Sequence, residues 1–251
     1  MRIVRCQTAQ GSQYGIVEQG AVRLLRADPF APEFSGETIP LEQARLLAPC
    51  EPSKIVAVGI NYASHAPEIG FAIPAEPLIF LKPNTAVIGP GATISLPAMS
   101  RQVDFEGELA VVIGRRTHKV SGPEALDAVL GYTCCNDVTA RDLQKKDVQF
   151  TRSKSFDTFA PLGPWIETDL DPSDLAIETR VNNTVRQQAR TSAMLRGVPT
   201  LVSFISQVMT LLPGDVIATG TPAGVGPLQP GDEVTVSIEH LGTLSNRVRQ
   251  G

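Results

Sequence analysis

The sequence predicts a β-rich α+β fold whose main mixed sheet is rolled or barrel-like. Three observations lead there. Glycine (21) and proline (20) are abundant among 251 residues while aromatic residues are only 5%, and such dense punctuation excludes a helical bundle or coiled coil. Candidate strands outnumber candidate helices, and no regular βαβ alternation runs through the chain. Apolar residues at 42% against 19% charged residues supply a buried core and exclude global disorder.

The elements follow in order. Ile3-Val4, residues 14–17 and residues 22–25 read as strands, with Gly20 breaking the turn before the last. Residues 41–47 read as a short helical patch, and Pro49 and Pro52 then mark a boundary. Residues 1–50 are therefore expected to form a small β-rich N-terminal module and 51–251 the main domain. KIVAVGI, PLIFLKP, FEGELAVVIG and GYTCCNDVT read as buried strands. Ser121 to Glu124 looks like a capping box opening a helix through Val129. Residues 140–147 read as a second helix and 199–211 as a third, the latter from Val202, Ile205, Val208 and Met209 at helical spacing. Asn182-Asn183 predicts a hairpin turn. DVIATG, DEVTVSIEH and TLSNRVR close the chain as strands.

Several function classes drop out. A formal net charge of −4 argues against nucleic acid as a partner. The apolar runs at 54–60 and 110–113 fall well short of the ~20 residues of a membrane helix. The N-terminal stretch turns polar too early for a secretory signal. The four cysteines show no CxxC spacing, and adjacent Cys134 and Cys135 would face opposite sides of a strand. Reduced thiols and a cytoplasmic location are expected.

The most informative segment is Asp104-Phe-Glu106-Gly-Glu108, running into the apolar residues 109–113. Strand alternation puts Glu106 and Glu108 on one face with Asp104, and Phe105, Leu109, Val111 and Ile113 on the other. Taken alone, a Glu-x-Glu pair is a solvated strand face. Two features change that reading: Gly107 permits a close approach to the backbone, and a third acid, Asp137, ends another apolar strand. Crowded carboxylates repel, and a divalent cation removes the cost. Oxygen ligands suit Mg²⁺ or Mn²⁺, with Ca²⁺ as a structural substitute.

Of three histidines, His118 in a polar turn and His240 in a C-terminal strand read as structural. His65 and Glu68 share a face at i, i+3 if their segment forms a helical turn, and a carboxylate beside an imidazole makes a dyad able to activate water. Pro67 favours a loop or lid over a regular helix there. Lys154 by itself reads as a snorkelling surface lysine, although beside a metal it would stabilise an enolate. The run Ala218 to Gly226 lacks the Lys-Ser/Thr of a phosphate loop, and Pro227 and Pro230 stand where a Rossmann helix would begin. Its backbone N–H groups, Gly220 among them, and Thr221 would instead meet a carboxylate. No G-x-S-x-G elbow is present.

Together VGINYASHAPE, PLIFLKP, DFEGELAVVIG, GYTCCNDVTARDLQ, KSFDTFAPLGPW and GDVIATGTPAGVG resemble the fumarylacetoacetate hydrolase family, in the family's order over roughly residues 50–240. The short N-terminal module resembles the compact bacterial members. The resemblance implies a rolled mixed sheet, a homodimer and a Mg²⁺ or Mn²⁺ site held by Glu106, Glu108 and Asp137. It implies that His65 and Glu68 are the catalytic dyad on a lid, Lys154 the active-site lysine and Thr221 a contact to the substrate carboxylate. Arg141 and Gln144 match cleft-lining polar residues. The implied activity is metal-dependent C–C hydrolysis or decarboxylation of a small 2-oxo (β-diketo) acid such as an acylpyruvate, fumarylpyruvate or oxaloacetate. The alternatives are a hydroxymuconate-type or hydroxyheptadienedioate isomerase/decarboxylase of aromatic catabolism, a 2-oxo-4-enoate hydratase, and a non-catalytic metal- or carboxylate-binding protein.

Overall fold

A computed structural model describes residues 1–30 and 32–251. Its frame is a large mixed sheet in which Gly107–Ile113 lies between Val129–Asn136 and Val216–Ala218. Ala160–Glu167 extends the sheet on one side, and Ile55–Gly59 and Leu78–Lys82 extend it on the other. Most pairs are antiparallel, while Ile55–Gly59 runs parallel to Val216–Ala218. The N-terminal meander of Arg2–Thr8, Gly11–Glu18, Ala21–Leu25 and Phe34–Pro40 joins the same sheet, because Arg2 and Ile3 pair with Glu167 and Ile166. The strand-dominated mixed-sheet architecture is thus the one the sequence predicts.

A second sheet orders Thr184–Arg190, Ala176–Val181, Glu233–Ile238, Gly242–Gln250 and Thr93–Leu96. Residues of one parity in the central strand, Leu109, Val111 and Ile113, pack with Ile177, Val236 and Leu244 of this second sheet. Those of the other parity, Ala110 and Val112, pack with Ile55, Ala57 and Leu162. Because both faces are covered, Gly107–Ile113 is buried throughout, and its residues 109–113 read as a continuous apolar run. Cys134 and Cys135 fall into these two opposed clusters, and all four cysteines are buried and free. Burial pushes the Cys134 and Cys50 thiols up to about 12, so they behave as inert small hydrophobes.

The helices are short: α1 His65–Ile69, α2 Arg141–Lys146, α3 Thr151–Lys154 and α4 Val198–Val208. Buried Val198, Leu201, Val202 and Ile205 give α4 its core-facing stripe. The helix stops before the expected end because Leu211 bridges back to Thr117. Asn182 and Asn183, at φ 50° and 65°, make the expected hairpin turn between Ala176–Val181 and Thr184–Arg190, with the left-handed pair a type I′ turn requires.

Four local expectations are corrected. The 41–47 patch is a single 3₁₀ turn, Leu41–Gln43, because Arg45–Leu46 pairs with the first strand instead. The segment after Ser121 is a 3₁₀ helix, Gly122–Ala128, with no side-chain cap; Gly122 at φ 55° cannot open an α-turn. His240 sits in the turn between Glu233–Ile238 and Gly242–Gln250, at φ 66°. Residues 103–113 form two strands interrupted at Glu106, Val103–Phe105 and Gly107–Ile113. Phe105 therefore joins Val138 and Phe159 in a cluster separate from that of Leu109.

Candidate active site

The interruption at Glu106 organises the acids. The Glu106 N–H donates to Asn136 Oδ1 (2.9 Å), and its carbonyl accepts from the Asp137 N–H (2.8 Å), so side-chain and loop bonds replace the missing ladder there. The Glu108 carboxylate accepts from the Gly220 N–H at 2.7 Å. One oxygen from each of Glu106, Glu108 and Asp137 lies within 4.8 Å of the others. All three are 4% exposed or less, deeper than a sheet edge would leave them. Asp104 stands outside the trio: it accepts from Arg141 Nε (2.8 Å) and Gln102 Nε2 (3.0 Å).

Three cations thread the acids. Lys154, at the end of α3, is 2% exposed, the opposite of a snorkelling surface residue. Its Nζ donates to Glu106 Oε2 at 2.8 Å and Asp137 Oδ2 at 2.6 Å. The sequence reading missed Lys82, fully buried, which donates to Asp137 and to the Val138 carbonyl (3.2 Å). Its only signal was a lysine closing the apolar strand LIFLK. Arg141 donates to Asp104, Glu106 and Gln144 Oε1, the last at 2.6 Å.

The ionisation follows from this wiring. Burial opposes the charge on Glu106, but Lys154 and Arg141 prevail and hold it well below the usual carboxylate range. Burial, then Asp137, then Glu106 push Glu108 well above its ordinary value, against weaker opposition from Lys154 and the Gly220 N–H. Lys154 is raised because Asp137 and Glu106 overcome its burial, whereas burial dominates at Lys82 and lowers it. Four buried carboxylates (Asp104, Glu106, Glu108, Asp137) face three buried cations (Lys82, Arg141, Lys154). The unbalanced carboxyl is Glu108, which among the described residues has no cation in hydrogen-bond contact. An all-oxygen donor set with one uncompensated carboxylate fits a hard divalent cation such as Mg²⁺ or Mn²⁺.

Beside the acids, His65 opens α1. The helix forms despite Pro67 because that residue lies in the first turn, where its missing N–H has no intrahelical partner to lose. His65 Nδ1 and Glu68 Oε2 are 2.9 Å apart, and engagement of Nδ1 leaves Nε2 as the free ring nitrogen. Glu68 Oε1 accepts from the Gly224 N–H at 2.9 Å. The glycine-rich loop therefore meets carboxylates as expected, but they are the protein's own Glu108 and Glu68. Thr221 Oγ1 donates to the Gly107 carbonyl (2.9 Å) and accepts from Gln187 Nε2 (2.7 Å). Asn136 and Gln187 carried no signal in the sequence; Asn136 acts on the strand next to its own and Gln187 from the second sheet.

A narrow cleft gathers these groups: His65, the acid trio, Arg141, Gln144, Lys154 and Thr221 line it. Glu68 and Gly220 sit behind His65 and Glu108 rather than on the wall. The apolar part of the wall is Ile69, Phe71, Leu78, Phe80 and Phe150. Phe150 packs edge-on against Phe80 at 5.5 Å between centroids, and Lys154 Nζ lies 5.0 Å from the Phe80 ring. The cleft is thus charged at its floor and aromatic at its side, which suits a small organic acid with an apolar part.

The family pattern described as Fumarylacetoacetate (FAA) hydrolase C-terminal matches residues 54–249, and one described as Rv2993c-like, N-terminal matches residues 1–49. The chain is 44% identical to the oxaloacetate tautomerase FAHD2A, mitochondrial, of Bos taurus, over 84% of this chain and 71% of that protein. A solved structure of 2-hydroxyhepta-2,4-diene-1,7-dioate isomerase from Mycobacterium marinum superposes with a TM-score of 0.93 at 51% identity, covering 100% of this chain and 98% of the other. Maleylpyruvate hydrolase from Sphingobium sp. SYK-6, solved in complex with manganese(II) ion and pyruvate, superposes with a TM-score of 0.83 at 33% identity, each chain fully covered (100%).

Proposed function

This chain belongs to the fumarylacetoacetate hydrolase family, and on that premise we propose that it is a divalent-cation-dependent enzyme that cleaves a C–C bond in a small 2-oxo (β-diketo) acid. The observation that carries the reading is the His65–Glu68 contact of 2.9 Å in the same cleft as the acid trio. A protein that only bound a metal or a carboxylate would have no use for such a dyad. Glu106, Glu108 and Asp137 would hold Mg²⁺ or Mn²⁺, which supplies Lewis acidity toward the 2-oxo-carboxylate.

This chain's own residues do the rest. Glu68 holds Nδ1 and raises the basicity of the ring, so Nε2 takes a proton from water as that water adds to the distal carbonyl. Rupture of the C–C bond leaves charge on the departing enolate, which the buried Lys154 ammonium is positioned to offset. Arg141 is tied to Asp104 and Glu106, so its role is to set their geometry. Thr221 and Gln144 line the substrate's path, and the aromatic wall takes its distal part.

A second reading has a specific observation behind it: the tautomerase and isomerase relatives, at 44% and 51% identity, are nearer than the hydrolase at 33%. In that reading the dyad moves a proton on the substrate and no water adds. Oxaloacetate, acetylpyruvate, fumarylpyruvate and hydroxymuconates, each assayed with Mg²⁺, with Mn²⁺ and with chelator, separate the cases. Metal-dependent release of two carbon fragments supports cleavage; a change in enol absorbance with no fragment supports isomerisation. Metal binding with no turnover of any of them would return the chain to a binding protein.

A further inference from the structure

Gly107 lies between the two glutamates, in register with Asn136 of the neighbouring strand, with its own N–H and carbonyl turned to side chains rather than to a strand. Its N–H donates to Gln187 Oε1 at 2.9 Å. Its carbonyl accepts from Thr221 Oγ1 at 2.9 Å, and that hydroxyl accepts from Gln187 Nε2 at 2.7 Å. The bonds close a ring around the backbone of one residue, and the second amide hydrogen of Gln187 goes to the Pro222 carbonyl at 2.8 Å. A Cβ at position 107 would stand 2.0 Å from Thr179 Oγ1, so the missing side chain is what lets the second sheet come this close.

Among the described residues the Gln187 side chain has no other hydrogen-bond partner. It is 1% exposed, yet it is the one buried residue of the edge strand Thr184–Arg190. Burying a carboxamide costs free energy unless its hydrogen bonds are made, and here they are made only to Gly107, Thr221 and Pro222.

We propose that Gln187 is a positioning residue for the acid trio, bracing Gly107 so that Glu106 and Glu108 present their carboxylates to one point. The proposal rests on the reading of Glu106, Glu108 and Asp137 as cation ligands. It assigns the second sheet a direct part in the site, since Gln187 reaches Gly107 from a strand that contributes no acid. Groups that orient ligands are worth about 10–100-fold in metal affinity.

The test is Mn²⁺ affinity, read from the electron paramagnetic resonance signal of free Mn²⁺ during titration of the full chain, with thermal melting in parallel. Gln187→Met should weaken binding about 10–100-fold, whereas Val234→Ala, a buried apolar deletion in the same sheet that touches none of the ring's hydrogen bonds, should leave affinity within about twofold despite lowering the melting temperature. Thr221→Val, which opens the ring at its hydroxyl while keeping the shape, should weaken binding in the same direction and serves if Gln187→Met does not fold. Unchanged affinity in the ring variants, or an equal loss in Val234→Ala, overturns the positioning role while leaving the cation site standing. Absence of Mn²⁺ binding by the unsubstituted protein overturns both.

Discussion

Lys82→Met isolates the electrostatics of the site, because methionine keeps the unbranched stem and deletes only the charge. Lys82 is fully buried, and its ammonium is bonded to Asp137 and to the Val138 carbonyl. Without it, four buried carboxylates face two cations, and Asp137 keeps only Lys154 as a charged partner. Removing one member of a buried pair costs about 3–5 kcal/mol. At about 2–4 °C per kcal/mol for a chain of this length, the melting temperature in EDTA should fall by about 6–20 °C. A divalent cation reverses the trend: the variant lacks one buried positive charge, so it should gain more from Mn²⁺ than the unsubstituted protein does. That protein gains about 2.7 kcal/mol at a hundredfold excess over Kd. Scanning calorimetry with EDTA and with MnCl₂ reads both effects. A variant that melts within about 2 °C of the parent in EDTA, or a gap that widens with Mn²⁺, would refute the charge balance argued for this cleft.

Three other substitutions probe separate links. Glu68→Gln should lower kcat about 10²–10⁴-fold, the worth of a general base, with Mn²⁺ affinity unchanged; an equal loss of metal binding would mean that α1 supports the acids rather than the proton transfer. Glu167→Gln tests linkage at the N-terminus, where burial opposes the charge but bonds from the terminal ammonium, the Asp169 N–H and Arg2 together hold the carboxyl below its ordinary 4.5. Because that pKa is depressed in the folded state, its contribution is present above pH 4.5 and lost as pH falls through the lower folded value. The stability gap between parent and variant, read by urea unfolding, should therefore be widest near neutrality and close in acid; a gap independent of pH contradicts it. Leu201→Ala, at a fully buried position of α4, should cost about 2–5 kcal/mol in the same unfolding assay, and a loss under about 1 kcal/mol would show that α4 is not packed as described.

Those predictions divide by the range of the information they draw on. The acid trio was legible because Glu106 and Glu108 are two apart and Asp137 ends its own apolar strand, and the dyad because i, i+3 spacing brings side chains together wherever one helical turn forms. The Asn182-Asn183 turn was legible for the same reason, a local backbone requirement that few residues satisfy. Where local rules failed, a partner distant in sequence had intervened. Leu211 ended α4 by pairing with Thr117, and Asp104 was separated from the glutamates by the strand break at Glu106, whose backbone bonds to Asn136 and Asp137.

The sequence by itself determined a β-rich mixed fold, three acids suited to a hard cation, a His–Glu pair and a glycine-rich loop near them. Only the tertiary structure decided that Lys154 is buried between Glu106 and Asp137, that Lys82 stands on the other side of Asp137, and that Gln187 closes on Gly107 from another sheet. Spacing along a strand or helix sets which neighbours share a face, but not which remote strand will cover it. A lysine or glutamine therefore acquires its role when burial removes water and leaves one partner to bond.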